Sequence, residues 1–229
     1  MGLIGAQPAL PTDLGGVGGG LRRLCAAAAE ALSARGVGLS IVARDELRAV
    51  SIGSDLGTEQ LEDLQFLLGE GPCLDSLAAR RPVLIPELDE PATRRWPGYI
   101  PAVHELGIRA VFAFPLQVGA VRLGALDVFR SSAGPLSAAE LRAALIFAEA
   151  ATTLLLNGQE NAVDGTAGGL EDQFAHGAEV YQAQGMVMAQ LGVSLIEALT
   201  RIRAYTFAEN RPLHDVATDI VHGRLHLDP

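Results

Sequence analysis

Two long apolar runs near the middle of the chain constrain its fold most. Residues 109–117 and 121–130 are almost continuously apolar, and only Val118-Gly119-Ala120 separates them. Short runs rich in Val, Leu and Phe are typical of strands with little exposure on either face. The sequence therefore predicts two strands joined by a tight turn, lying in the middle of a sheet.

Helical and strand patterns alternate before this pair. One helical face is predicted from the spacing of Leu21, Leu24, Cys25, Ala28 and Leu32, with Gly36 ending the helix. Further elements are expected as strands over 37–43 and 47–52, a helix capped by Thr58, a helix from Pro72 through Ala79, a strand over 83–85, a Pro-rich loop over 94–97 and a helix over 99–106. A mixed α+β domain follows from this alternation.

The chain becomes purely helical in pattern after the apolar pair. Ser137 and Glu140 form a capping box that opens a helix, and residues 158–170 contain four Gly and few apolar side chains. Three short helices are then predicted, the first ended by Gly192, the second opened by the capping box of Ser194 and Glu197, and the third starting at Pro212. We expect a disordered arm over 1–20, an α+β domain over 21–157, a linker over 158–174 and an all-α domain over 175–229.

Charge and cysteine content narrow the function classes. The formal net charge of −10 argues against sequence-blind adhesion to nucleic acid. Cys25 and Cys73 are too few for a disulfide framework or a four-ligand zinc site. No basic leader precedes an apolar segment, and no apolar run is long enough for a membrane span. We therefore expect a cytoplasmic protein without membrane contact, bound metal or cofactor.

The first domain resembles the GAF fold, in which helices flank an antiparallel sheet. The resemblance is carried by Gly69-Glu70-Gly71-Pro72-Cys73, by Arg95-Trp96-Pro97 and by the run from Gly107 to Leu116. These segments are similar to actinobacterial GAF domains that precede ANTAR modules. The resemblance implies a sensory domain for an unknown small-molecule ligand or a signalling partner.

The tail resembles an all-α, three-helix ANTAR domain. The matching segments are Gln182-Ala183-Gln184-Gly185, Glu197-Ala198, Arg201-Ile202-Arg203 and Leu213-His214-Asp215-Val216-Ala217. This resemblance implies that the tail binds paired RNA stem-loops as a dimer and prevents a terminator hairpin from forming. The RNA-contacting residues that we predict on this basis are Gln182, Gln184, Arg201, Arg203 and Arg211.

The tail departs from its family in charge. Gln184 stands where the family has Lys, and residues 175–229 contain four Arg against six acidic residues, a net charge of −2. Each lost cation removes a phosphate contact and the release of its counterion. The RNA affinity is therefore expected to be weak or to depend on activation.

Five residues are candidates for contact with a ligand of the GAF domain: Cys73, Trp96, Tyr99, Phe114 and Asp127. Trp96, Tyr99 and Phe114 would line a cavity between sheet and helices, or would simply fill the core. Asp127 stands inside an apolar strand and would contact a ligand or occupy a hydrogen-bonded or edge position. Cys73 at a helix start would be a redox sensor or a small core residue.

Three functions follow from these patterns. The preferred hypothesis is a homodimeric, signal-responsive RNA-binding antiterminator with no enzymatic activity. The helices over 21–35 and 136–157 would pair with those of a second subunit. The alternatives are a dimeric interaction module with a degenerate tail that does not bind RNA, and a GAF-type redox enzyme that uses Cys73.

Overall fold

The computed structural model describes residues 16–42, 49–163, 170–209, 211 and 213–227. Its helices are α1 (Gly16–Ala31), α2 (Leu56–Leu68), α3 (Pro72–Ala79), α4 (Glu90–Arg95), α5 (Tyr99–Glu105), α6 (Ala138–Val163), α7 (Leu170–Leu191), α8 (Leu195–Ala208) and α9 (Leu213–Val221). Its strands are β1 (Gly36–Val42), β2 (Ala49–Gly53), β3 (Val83–Ile85), β4 (Ala110–Val118) and β5 (Val121–Arg130). An α+β unit is thus followed by a helical one, as predicted.

The described strands form one antiparallel sheet in the order β2-β1-β5-β4-β3. The apolar pair predicted for the middle of the sheet is β4 and β5, and β5 pairs with β1 on its other side. Because successive side chains of a strand point to opposite faces of the sheet, the side chains of β4 pack into two apolar clusters, one on each face. Phe112 and Phe114 enter one apolar cluster, whereas Val111 and Ala113 enter the cluster on the opposite face.

Helices α1 and α6 cover the first face. Leu21, Cys25 and Ala28 of α1 are buried with Ala144 and Ala148 of α6 and with the strand residues beneath them. Burial of such apolar area is the main stabilising contribution, at about 25 cal/mol per Å². The helical spacing predicted for the first segment is therefore the face that packs on the sheet.

Helices α2, α3, α4 and α5 lie over the second face. The predicted Thr58 cap is wrong, because Asp55 is the N-cap and its carboxylate accepts from the Thr58 amide, 2.8 Å away. The predicted loop at 94–97 is also wrong in part, because α4 reaches Arg95. Asp89 caps α4 and a proline in its first turn is compatible with helix, so the Pro-rich composition hid it.

Helices α7, α8 and α9 pack around a third apolar cluster. Val180, Ala183 and Val187 of α7 face Ala198 and Ile202 of α8, with residues of α9 closing the cluster. Gly192 follows α7 at a φ of +65°, and the Ser194 hydroxyl accepts from the Glu197 amide, as their positions predict. The compact three-helix arrangement is confirmed.

Helix boundaries differ from expectation on both sides of the predicted linker. Helix α1 already begins at Gly16, α6 continues to Val163 and α7 begins at Leu170. Gln159 and Glu160, which favour helix, follow Gly158, and no proline interrupts them. Helix α6 therefore continues past Gly158. The division into four segments stays a proposal, and residues 1–15, 43–48 and 164–169 lie outside the described ones.

The helical unit packs against the α+β unit. Helix α8 contacts α2, and α7 contacts β2 and α1. Within the described residues, no helix combines the length and the apolar character that crossing a membrane would require.

Candidate functional site

A cluster of polar side chains is buried between the sheet and the helices of its second face. Its members are Ser40 of β1, Glu62 and Gln65 of α2, Cys73 of α3 and Asp127 of β5, and the exposed fraction of each is 0%. Charged residues are almost never fully buried unless they are paired. Two carboxyl groups at this depth therefore mark the cluster as a candidate site.

Gln65 holds the cluster together through both ends of its amide. Its Nε2 donates to Asp127 Oδ2 over 2.7 Å, and its Oε1 accepts from the Cys73 amide over 2.8 Å. Ser40 Oγ donates to Glu62 Oε2 over 2.6 Å. These bonds fix α2 and α3 against the strands, so any change inside the cluster acts on both helices.

Two glycines make room for these side chains. A Cβ at Gly38 of β1 would lie 2.3 Å from Glu62 Oε1. A Cβ at Gly71 would lie 2.4 Å from Gln65 Oε1, and Gly71 has a φ of +142°, which disfavours other residues. The backbone is thus shaped around the polar groups.

The segment Gly69-Glu70-Gly71-Pro72-Cys73 connects the cluster to its neighbours. Gly69 ends α2 at a φ of +71°, and Pro72 occupies the first turn of α3. Glu70 Oε1 accepts from the amides of Gly98 and Tyr99 at 2.6 and 2.8 Å, at the start of α5. One short segment therefore positions the thiol of Cys73 and the phenol of Tyr99.

Burial dominates the electrostatics of the cluster. Desolvation raises the pKa of Asp127 to about 7. Burial, together with the Asp127 charge, holds the pKa of Glu62 well above its usual range. Desolvation likewise raises the pKa of the Cys73 thiol and of the Tyr99 hydroxyl, and the nearby carboxylates add to both shifts. The site disfavours negative charge and favours protons or another cation.

The Tyr99 hydroxyl is buried in this region without a hydrogen-bond partner, whereas the Glu62 and Asp127 carboxyl groups hydrogen-bond to each other and the Cys73 thiol hydrogen-bonds to Asp127. An unsatisfied buried polar group costs about 1–3 kcal/mol. One ligand atom each of Glu62, Cys73 and Asp127 lies within 4.8 Å of the other two.

The predicted ligand residues divide into three locations. Cys73 and Asp127 belong to the cluster, and Tyr99 lies beside it. Trp96 is buried in the apolar core of the second face, where the Arg95 guanidinium stacks 4.5 Å from its ring centroid. Phe114 lies on the opposite face of the sheet, under α1 and α6. The structure therefore does not bring all five residues together.

Sequence reasoning missed Glu62 and Gln65. Both lie on the inward face of α2, which also buries Thr58, Leu61 and Phe66. Their burial could have been predicted, because residues three and four positions apart lie on the same face of a helix. Glu62 and Gln65 share the face that the apolar residues of α2 identify as inward.

The predicted RNA-contacting residues lie on α7, α8 and the segment that precedes α9. Gln182 is exposed, whereas Gln184 is buried, with 6% of its surface exposed. Arg201 pairs with Glu197 one turn earlier on α8. Arg211 pairs with Asp219 of α9.

Arg203 points toward the α+β unit. A Cβ added at Gly69 would lie 2.9 Å from the Nη1 atom of Arg203. Gly69 ends α2, the helix that carries Glu62 and Gln65. Arg203 therefore belongs to the contact between the two units.

Comparison with protein families identifies both units. A model described as GAF domain matches residues 21–156, and a model described as ANTAR domain matches residues 169–221. The matched ranges coincide with the sheet-containing unit and with the three packed helices. A search among curated proteins gives no match.

Solved structures resemble the first unit. The GAF domain of an Acinetobacter phosphoenolpyruvate-protein phosphotransferase is 11% identical, with a TM-score of 0.51, over 65% of this chain and 87% of that chain. The GAF domain of the corresponding Coxiella burnetii protein is 16% identical, with a TM-score of 0.53, over 66% and 88%. At such low identity these likenesses show the fold alone.

Proposed function

Because this chain belongs to the GAF domain family and carries an ANTAR domain after its GAF domain, we propose that it is a signal-responsive antiterminator that binds paired RNA stem-loops as a dimer. The observation that carries the proposal is the coincidence of the ANTAR match with a compact three-helix unit. Such a unit can present polar side chains to unstacked loop bases, which are the part of RNA that proteins read.

The surface of the helical unit supports this proposal. Gln182 is exposed, and the side chains of Arg201 and Arg211 are each about one-third exposed, at 35% and 36%. Each arginine pairs with a carboxylate, and such exposed pairs contribute only about 0–1 kcal/mol. A phosphate can therefore replace either carboxylate at small cost.

An exposed apolar stripe on α6 supports dimerisation. Leu145, Ile146 and Leu156 are 47%, 64% and 37% exposed, on the side of α6 that faces away from the sheet. Large apolar residues that line the exposed face of a helix are typical of helix-helix interfaces. Two subunits paired through α6 would hold two tails near each other and raise the effective concentration for paired stem-loops.

The contact between α2 and α8 supports a signalling route. A change in the buried cluster acts on α2, whose last turn contacts α8. A ligand that favours one arrangement of α2 would shift the population of tail arrangements. Release of Arg203 from this contact would add one cation to the RNA-binding surface.

The burial of Cys73 weighs against a redox enzyme. Its exposed fraction is 0%, and burial raises the pKa of its thiol well above the usual range. Because the thiolate is the nucleophile in thiol chemistry, a thiol held in this state is a poor catalyst. The interaction module remains the second candidate, favoured by the net negative charge of the tail.

Binding of a paired stem-loop RNA, compared with the same RNA with one loop scrambled, tests the proposal. Arg201→Ala is expected to weaken binding and to reduce the salt slope by about 1. Arg122→Ala replaces an exposed arginine of the GAF domain and should leave both unchanged. Equal affinity for the two RNAs would favour the interaction module.

A further inference from the structure

Three potential metal ligands converge inside the GAF domain from separate elements. Glu62 comes from α2, Cys73 from α3 and Asp127 from β5, and all three are fully buried. Their ligand atoms lie within 4.8 Å of one another. Ligand atoms this close together can coordinate one shared ion.

A second observation points to a missing occupant. Tyr99 belongs to a fourth element, α5, and its hydroxyl is fully buried without a hydrogen-bond partner. Its pKa is raised by burial and by the charges of Asp127, Glu62 and Cys73, so the hydroxyl lies close to them. Glu62 and Asp127 hydrogen-bond to each other and Cys73 hydrogen-bonds to Asp127, so the three ligand groups already face one another. A bound cation would take the place of the protons in these hydrogen bonds and would reach the phenol through one of its coordinated waters.

We propose that Glu62, Cys73 and Asp127 bind one divalent transition-metal ion of the zinc class. The thiolate and the two carboxylates all belong to the ligand types that zinc accepts, at about 2.3 Å for sulfur and about 2.0–2.2 Å for oxygen. Thiolate sulfur discriminates against magnesium and calcium, which take oxygen ligands. These bond lengths place ligand atoms about 3.3–3.7 Å apart in a tetrahedron, which lies within the 4.8 Å limit on their separation in the structure.

Charge balance supports the assignment. On binding, Cys73 loses its S–H proton to solvent as the sulfur–metal bond forms, and each carboxyl group that carries a proton releases it too. The dication then offsets two of the three ligand charges, so the occupied site carries one net negative charge. Ser40 and Gln65 each donate to one carboxylate and orient it from outside the ligand set. This assignment stands independently of RNA binding by the tail.

Metal titration of the full chain, first stripped with a chelator, tests the proposal. We expect one equivalent of Zn²⁺ to bind in competition with a chromophoric chelator, with at least one proton released per ion. Co²⁺ in place of Zn²⁺ should give a thiolate-to-cobalt charge-transfer band in the near ultraviolet. Lack of stoichiometric Zn²⁺ uptake, or a Co²⁺ spectrum without that band, overturns the proposal.

Substitutions locate the site. Cys73→Ser should abolish the charge-transfer band and weaken Zn²⁺ binding at least tenfold. Asp127→Asn and Glu62→Gln keep the side-chain shape and should weaken binding similarly. Cys25→Ser is the matched control, because Cys25 is also fully buried but lies on the opposite face of the sheet. Zn²⁺ affinity equal to wild type in all three cluster variants, with circular dichroism reporting a folded chain, overturns the assignment.

Discussion

Gly38 illustrates how a single residue supports the buried polar cluster. A strand glycine is ordinarily destabilising, since it lacks a side chain to pack. Here the missing Cβ leaves the space that Glu62 occupies, with only 2.3 Å between the added carbon and Oε1. The absence of a side chain at Gly38 therefore makes room for Glu62 in the cluster and does not stabilise the strand itself.

Gly38→Ala is expected to lower the free energy of unfolding by about 2 kcal/mol, because the added methyl overpacks a filled site. Urea denaturation measures this change. Gly20→Ala on α1 is the control, since its nearest neighbour would be Leu154 at 3.9 Å and alanine favours helix. A Gly38→Ala protein as stable as wild type would contradict the packing around Glu62.

Asp219 gives a pH-dependent prediction in the tail. Its carboxylate accepts from Arg211 and Arg224, which lower its pKa. These two ion pairs of Asp219 therefore stabilise the folded tail at pH values above the ordinary aspartate pKa, and this stabilisation is lost as the pH falls through the lowered pKa of Asp219. Asp219→Asn should lower the melting temperature at neutral pH, and the difference from wild type should shrink in acid. A difference from wild type that stays constant from neutral pH into acid would contradict this role of Asp219.

At the scale of elements, α6 combines two faces with different partners. Ala144, Ala148 and Ala151 are buried against the sheet, whereas Leu145 and Ile146 are exposed. A helix with apolar residues on two sides needs two partners. The second partner in our account is α6 of another subunit.

Ile146→Arg is expected to shift the protein from dimer to monomer, because it places a charge in the apolar interface. Analytical ultracentrifugation over a concentration series measures the shift. Leu84→Arg on β3 is the control, as Leu84 is similarly apolar and 41% exposed but lies on a different element. An unchanged dimer in the Ile146 variant would exclude this face of α6 as the interface.

Local signals explain how much of the fold could be predicted from the sequence. The capping box of Ser137 and Glu140 closes reciprocally, with both amides bonded to the partner side chain. The apolar pair specified β4 and β5, since continuous burial requires a central position. Helix α4 was missed because its proline, Pro91, is typical of a loop and because six residues are too few to show helical periodicity.

The candidate site was less predictable than the fold because its parts are distant in sequence. Gln65 and Asp127 are bonded across 62 positions, and this pairing depends on tertiary packing alone. Cys73 and Asp127 were each identified as unusual, but nothing in their spacing indicated that they share one cluster with Glu62. Phe114 was grouped with Trp96 on residue type, and strand alternation places it on the other face.

At the scale of the whole molecule, signal-responsive RNA binding depends on communication between the GAF and ANTAR domains. The buried cluster contacts α2, and the last turn of α2 meets α8 near Arg203. A ligand that favours one arrangement of α2 would shift the position of α8 through this contact.

Arg203→Ala is expected to loosen the docked tail and to increase amide hydrogen exchange in α8 several-fold. Mass spectrometry of deuterated peptides measures this exchange. Arg201→Ala lies on the same helix and pairs with Glu197, so it should leave the exchange near the wild-type rate. Identical exchange in both variants would mean that Arg203 does not maintain the contact.

Capture of cellular transcripts by the full chain tests whether the protein binds paired stem-loops. We expect enrichment of RNAs that carry two adjacent stem-loops. The double variant Arg201→Ala with Arg211→Ala should lose this enrichment, while Arg122→Ala should retain it. Capture of the same RNAs by all three proteins, or of none that contain paired stem-loops, would contradict the proposed function.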